Sequence, residues 1–296
     1  MWHTWLLINE ILNTLLMFAS FIITFRETLE AALIAGIILS YLNRTNQTKF
    51  NNVVYVGIAA GVVVSVVCAF VLQKVAGGLS GRAEEIFEGT TMFVGAFLLT
   101  SMILWMMRQK QVATRLREKV TEMVSQTWKF GLFMLVFVAI LREGIETVIF
   151  LSAAETIASG SIIVSSFGGI IAAIALGYLM FVYSMKINIK RFFTVTSVLL
   201  IFFAAGLIAH GMHEFHEAGL IPPIVKEVWN INPAVYEDGS YPWFHDKGYV
   251  GGTLKELFGY NGNPSLMEVS SYMAYLLLVA FLWRNIEREQ KVARNR

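Results

Sequence analysis

Charge is scarce in this chain, and cysteine scarcer. Only 15% of the residues are charged, against roughly 25% in an average soluble domain, while 56% are apolar. That balance argues against a globular enzyme and describes a polytopic membrane protein. Cys68 is the one cysteine, which excludes an internal disulfide and a thiolate metal site. Its neighbours Val67, Ala69 and Phe70 make it a small packing residue. No basic stretch is interleaved with aromatics and no glycine-rich phosphate loop carries a lysine, so nucleic acid and nucleotides are not indicated. No Lys or Arg precedes the first apolar run and no small-residue cleavage site follows it. That run reads as a retained membrane helix and not a signal peptide.

What the chain has is apolar length. A helix needs about 20 residues to cross the hydrocarbon core, and seven segments qualify: 11–42, 53–75, 86–107, 130–157, 162–185, 192–216 and 265–283. The expected architecture is an all-α membrane protein of seven transmembrane helices in one domain over 1–296. Lys and Arg set its orientation. Arg44 and Lys49 follow the first span, and the segment 108–129 holds Arg108, Lys110, Arg115, Arg117, Lys119 and Lys129. Lys186, Lys190 and Arg191 sit between the fifth and sixth spans, and more basic residues fill the tail 284–296. The alternate loops carry Glu84, Glu85, Glu88, Glu155, Glu227, Glu237, Asp238, Asp246 and Glu256. Seven spans put the basic clusters on one side, with the N-terminus outside and the C-terminus cytoplasmic.

Inside two of the apolar runs lie copies of one charged motif, Arg26-Glu27-Thr28-Leu29-Glu30 and Arg142-Glu143-Gly144-Ile145-Glu146. A charge at the bilayer centre costs at least ~2.5–3.5 kcal/mol on insertion scales, so these charges are not incidental. The first span runs inward and the fourth outward, so the motifs lie antiparallel. Spans one to three (about 11–107) and four to six (130–217) are therefore expected to form an inverted-topology repeat. The inner basic loop 108–129 joins the halves, and an outer loop (218–264), a last helix (265–283) and an inner tail (284–296) follow. Transporters of this kind bind substrate near the midplane, at the repeat interface. Gly36 and Gly144 would permit close helix approach there.

Positions i and i+3 share a helix face, so Glu27 with Glu30, and Glu143 with Glu146, converge if the two helices cross at the motifs. Arg26 and Arg142 offset two of the four charges, and the remaining −2 suits a cation. An all-carboxylate site without cysteine favours a hard ion such as Fe³⁺, or a borderline one such as Fe²⁺ or Mn²⁺. The same residues also suit a pair of structural Arg–Glu bridges. Two copies at matching depth in antiparallel helices weigh toward the metal. A second constellation ends the sixth span: His210, His213, Glu214 and Glu217 fall at i, i+3, i+4 and i+7, with His216 off the stripe. With Glu84, Glu85 and Glu88 at the outer end of the third span they are expected to form an acidic mouth that concentrates cations. A solvated helix end of ordinary polar residues is the other reading. Trp229, Tyr241, Pro242, Trp243 and Tyr260 mark the outer loop as an interface anchor. Met102, Met106 and Met107 read as core filler, and the basic segment 108–129 as an amphipathic piece on the anionic inner leaflet.

The paired Arg-Glu-x-x-Glu motifs resemble the oxidase-dependent iron transporter family, which comprises the fungal high-affinity iron permease and bacterial relatives. Phe87-Glu88-Gly89 leading to Leu104-Trp105-Met106, His213-Glu214-Phe215 to Glu217-Ala218-Gly219, and Leu257-Phe258-Gly259-Tyr260 fit it too. The resemblance runs from about Met17 to Trp283. It implies a permease importing Fe³⁺ that an extracytoplasmic partner has oxidised from Fe²⁺: a ferroxidase, a peroxidase-like protein or an iron-binding protein. It also implies Glu27, Glu30, Glu143 and Glu146 as iron ligands, Arg26 and Arg142 as structural or gating charges, and iron as cargo with no resident cofactor. The family usually has glycine where this chain has Thr28, which puts close approach at that motif in question. A permease for another di- or trivalent cation, proton-coupled or not, is the nearest alternative. A membrane di-metal carboxylate enzyme is remote, because such sites add Glu-x-x-His motifs and neither motif here has a histidine.

Overall fold

The computed structural model describes residues 18–108, 112–157, 162–183, 189–222, 224–237 and 239–294. Residues 11–17 of the first apolar run, and Lys110, Met185, Lys186 and Asp238, lie outside them. Among the described residues every regular element is helical: α1 (Phe18–Arg44), α2 (Asn51–Ala76), α3 (Arg82–Arg108), α4 (Val112–Ser125), α5 (Lys129–Ile157), α6 (Ile162–Phe181), α7 (Ile189–Glu217), α8 (Tyr249–Phe258) and α9 (Leu266–Arg294). A short 3₁₀ turn, Thr48–Phe50, leads into α2.

Helices α2, α3, α6, α7 and α9 are long and apolar enough to cross a membrane. α1 and α5 are as long, 27 and 29 residues, and each carries an Arg-Glu-x-x-Glu motif along its length. Whole faces of these helices expose apolar side chains, including Val63, Val67 and Phe70 on α2, Phe167 and Ile171 on α6, and Leu277 and Phe281 on α9. Continuous apolar patches of that kind mark a membrane contact. The protein is membrane-embedded and multi-pass.

The helices pair out of chain order. α1 packs chiefly on α6, α2 on α5, and α3 on α7, while α1 also crosses α5, and α9 lies on α7 and α3. Between apolar helices in lipid, close packing replaces the hydrophobic effect as the cohesive force, so small residues sit at the crossings. A Cβ added to Gly61 would meet Ile140 at 2.9 Å, and one on Gly169 would run into the Thr24 side chain and the α1 backbone. Gly89 and Gly211 face each other across α3 and α7, and the rings of Phe93 and Phe215 stack beside them at 5.3 Å.

Two apolar clusters result. One joins Ile23, Leu99, Phe150, Phe203 and Leu207; the other joins Ile38, Leu42, Val54, Val120, Val136 and Ile140. The motifs fall between them, with Ile23 and Ile38 flanking the α1 copy and Ile140 and Phe150 the α5 copy. α4 presents Leu116, Val120, Met123 and Val124 to the second cluster and keeps Arg117, Lys119 and Glu122 exposed. Its apolar stripe is therefore buried on protein. A bond of 2.7 Å between the Thr121 and Tyr41 hydroxyls ties it to α1.

Candidate functional site

Arg26 is fully buried, and its guanidinium bridges both glutamates of its own motif, Nη1 to Glu27 Oε1 at 2.8 Å and Nη2 to Glu30 Oε1 at 3.0 Å. The same two nitrogens meet thioethers of α3, Met102 at 2.6 Å and Met106 at 3.7 Å. The Phe193 ring lies 5.8 Å from the guanidinium carbon. Arg142 occupies a more open position, with 47% of its side chain exposed. It donates to Glu143 from Nε at 3.1 Å and from Nη2, stands 3.6 Å from Glu146 and lies over the Trp105 ring at 5.6 Å. Met102, Trp105 and Met106 share one face of α3 at i, i+3 and i+4, so that face serves both arginines. Met102 does fill the first apolar cluster, and both methionines are in addition partners of a buried charge. Their spacing was readable in the sequence, but nothing there pointed to what they would face.

Across the α1–α5 crossing, ligand oxygens of Glu27, Glu30 and Glu143 all lie within 4.8 Å of one another. Glu146 stands outside that set. Glu27 Oε2, Glu143 Oε2 and Glu146 Oε2 are buried and accept no hydrogen bond. Buried carboxylate oxygens left unpaired are expensive, and a multivalent cation with oxygen preference would engage several at once. The residues present therefore suit an iron ion as cargo. Close approach at the second motif is real: a Cβ on Gly144 would collide with the Ser65 side chain. Ser65 lies one turn after Gly61 on α2, and the corresponding place after Gly169 on α6 holds Ala173, a smaller residue opposite the motif that carries Thr28.

The acidic and histidine residues at the adjoining ends of α3 and α7 line up without closing into one coordination sphere. Glu88, Glu214 and Glu217 are near enough to repel one another, and Glu84 and Glu85 add to that field. His210 is buried, with Nδ1 at 2.9 Å from the Gly206 carbonyl and Nε2 without a partner. His213 lies between two carboxylates, Nδ1 at 3.1 Å from Glu268 and Nε2 at 3.2 Å from Glu217. Among the described residues, the Glu27–Glu30–Glu143 set is the one group of three His, Cys, Asp or Glu ligands gathered that tightly. Glu268 was not anticipated. It is the fourth residue of a Ser265-x-x-Glu268 capping box at the start of α9, with Ser265 Oγ donating to it at 2.9 Å and the Glu268 N–H returning to Ser265 Oγ at 3.3 Å. Lys255, on α8, was also missed; burial pushes its ammonium below the ordinary lysine range while nearby Asp246 acts the other way.

The Iron permease FTR1 family matches residues 17–286. An uncharacterized protein of Archaeoglobus fulgidus is 32% identical over 264 residues, covering 88% of this chain and 92% of its own. The ferrous iron permease EfeU of Yersinia pestis is 33% identical over 277 residues, 90% of this chain and 93% of its own. The protein of that name in Escherichia coli O6:K15:H31 is 33% identical over 274 residues, 90% and 95% respectively. No solved structure gives a significant match.

Proposed function

The chain belongs to the Iron permease FTR1 family, and from that premise we propose that it imports iron as Fe³⁺, oxidised from Fe²⁺ by an extracytoplasmic partner, through its two Arg-Glu-x-x-Glu motifs. It is a membrane transporter and not an enzyme, and iron is the transported substrate of its family. The observation that carries the proposed route is the gathering of Glu27, Glu30 and Glu143 from two helices within 4.8 Å, with buried carboxylate oxygens that no hydrogen bond satisfies. Glu27, Glu30 and Glu143 hold the ion, and Glu146 receives or releases it. Arg26 and Arg142 keep the carboxylates charged and apart when no ion is bound. Iron is cargo here, with no resident cofactor.

In this reading α1 and α5 span the bilayer as the other five long helices do, with the N-terminus outside and the C-terminus cytoplasmic. The contacts support an inverted repeat. Exchanging α1 with α5, α2 with α6 and α3 with α7 turns the α1–α6 contact into α5–α2 and returns α3–α7 and α1–α5 to themselves. The detail follows the same rule, since Gly169 packs on Thr24 and Gly61 on Ile140, each two residues before its motif arginine.

Radioactive iron uptake in cells lacking their own importers tests the proposal, comparing the parent chain with Glu30→Gln and Glu143→Gln at matched abundance. Transport by the parent and loss in both variants is the expected result; normal uptake in both would make the carboxylates structural. Import of Fe²⁺ is the second reading, favoured by the relatives named as ferrous iron permeases. Supplying iron with an oxidant or with ascorbate separates the two, and competition by Mn²⁺ or Pb²⁺ would reveal a broader metal permease.

A further inference from the structure

The Arg26 guanidinium is divided between two kinds of acceptor. Its Nη1 donates to Glu27 Oε1 at 2.8 Å and to the Met102 sulfur at 2.6 Å. Its Nη2 pairs with Glu30 Oε1 at 3.0 Å and donates to the Met106 sulfur at 3.7 Å. Each terminal nitrogen of a guanidinium carries two N–H groups, so each serves one carboxylate of α1 and one thioether of α3. The Phe193 ring of α7 lies 5.8 Å from the guanidinium carbon, within range of a cation–π attraction. The charge is thus held between an acidic edge, which the ion site shares, and a soft edge, which it does not.

An ion in the site upsets that division. Held by Glu27, Glu30 and Glu143, whose oxygens lie within 4.8 Å of one another, it takes the carboxylates that Arg26 engages. It also repels the guanidinium in proportion to its own charge. Arg26 is fully buried, so solvent cannot replace the lost acceptors, and a buried charge without partners is strongly disfavoured. Its Nε already lacks a partner. The acceptors that remain on the terminal nitrogens are the two thioethers. Sulfur is polarizable but a weak acceptor. It loses to a carboxylate when the site is empty and serves once the carboxylates are taken. Leucine would fill a similar volume there and accept nothing.

Resting on the import reading above, we propose that Met102 and Met106 are positioning residues for transport: their thioethers receive the Arg26 guanidinium when an ion takes Glu27 and Glu30, and return it when the ion leaves. They act on the ion through the arginine, without touching it. The receiving sulfurs stabilise the occupied state over the empty one, so their loss appears in ion affinity before it appears in turnover.

The test uses the full chain with Met102→Leu, Met102→Gln and the same two changes at Met106, each checked by size exclusion. Tb³⁺ luminescence on the purified protein reads ion affinity, and saturation kinetics of iron uptake in cells separate half-saturation from maximal rate. Met102→Leu keeps the volume and removes the acceptor. Tb³⁺ affinity should fall, and the half-saturating iron concentration rise, by about tenfold, the scale of one lost hydrogen bond to a charged group, while the maximal rate changes little. Met102→Gln supplies an amide oxygen and should restore the affinity. A packing role predicts the opposite order, because leucine suits an apolar cluster and glutamine does not. Glutamine weaker than leucine, or leucine equal to the parent, therefore overturns the proposal. Met106 is only half-buried, so the series there decides the matter if glutamine at position 102 does not fold. In an Arg26→Met background, Met102→Leu should weaken Tb³⁺ binding no further; a further loss would make the thioether a ligand of the ion itself and overturn the proposal. A parent chain that moves no iron refutes the import reading, while Tb³⁺ binding still decides the role of the methionines. A parent that binds no Tb³⁺ either overturns this proposal as well.

Discussion

Arg26 and Arg142 occupy the same place in the same motif, yet replacing them by methionine should have unequal effects. Arg26 is fully buried and engages two carboxylates, at 2.8 and 3.0 Å. Removing one partner of a buried ion pair leaves an uncompensated charge and costs about 3–5 kcal/mol. Arg142 has 47% of its side chain exposed, but its partner Glu143 is buried, so its loss leaves one buried acceptor unsatisfied and costs about 1–3 kcal/mol. Arg26→Met should therefore unfold at markedly lower SDS fraction in mixed micelles, while Arg142→Met falls between it and the parent. The triple variant Arg26→Met/Glu27→Gln/Glu30→Gln should recover most of the loss, because a buried pair removed as a unit is close to neutral. Equal destabilisation at the two arginines would refute this account, since it would mean that burial does not set the difference. A triple variant no more stable than Arg26→Met would refute the ion-pair explanation in particular.

Among the carboxylates, Glu27→Gln, Glu30→Gln and Glu143→Gln should each abolish iron uptake. Glu146→Gln should leave a measurable rate, about tenfold to a hundredfold down in the manner of a supporting residue, because Glu146 stands outside the three-oxygen set; saturation kinetics distinguish the two classes. Gly144→Ala should lose about 1–3 kcal/mol through overpacking on Ser65, and Ser65→Gly should rescue it in the same micelle assay. Gly95→Ala is the control, since its new Cβ would sit 3.4 Å from that of Ala153, an ordinary contact. Ser265→Ala should cost about 1 kcal/mol by removing the cap of α9; no change would mean that Glu268 caps the helix alone.

The motifs and the His–Glu stripe at the end of α7 were legible because their spacings, i+3 and i+4, are fixed by the helix itself. The partners were not. Met102, Trp105 and Met106 have helical spacing too, but nothing local distinguishes a methionine that faces lipid from one that faces a guanidinium. Glu268 could have been read as a helix cap from Ser265-x-x-Glu268, although its bond to His213 depends on α7 and α9 meeting. The outer segment looked like an aromatic anchor at the interface, because its ten-residue helix is too short to announce that it packs on α7.

The sequence by itself determined that this chain is helical, membrane-embedded and built around two charged motifs, since apolar length and helical periodicity are properties of a segment. Tertiary structure alone decided that Glu27, Glu30 and Glu143 gather while Glu146 stands outside that set, that one arginine is fully buried and its twin half-exposed, and that α8 packs beside α7. Those outcomes depend on which helices cross and how closely. Contacts such as Gly61 on Ile140 and Gly206 on Gly259 set that closeness, and their partners lie far apart in the chain.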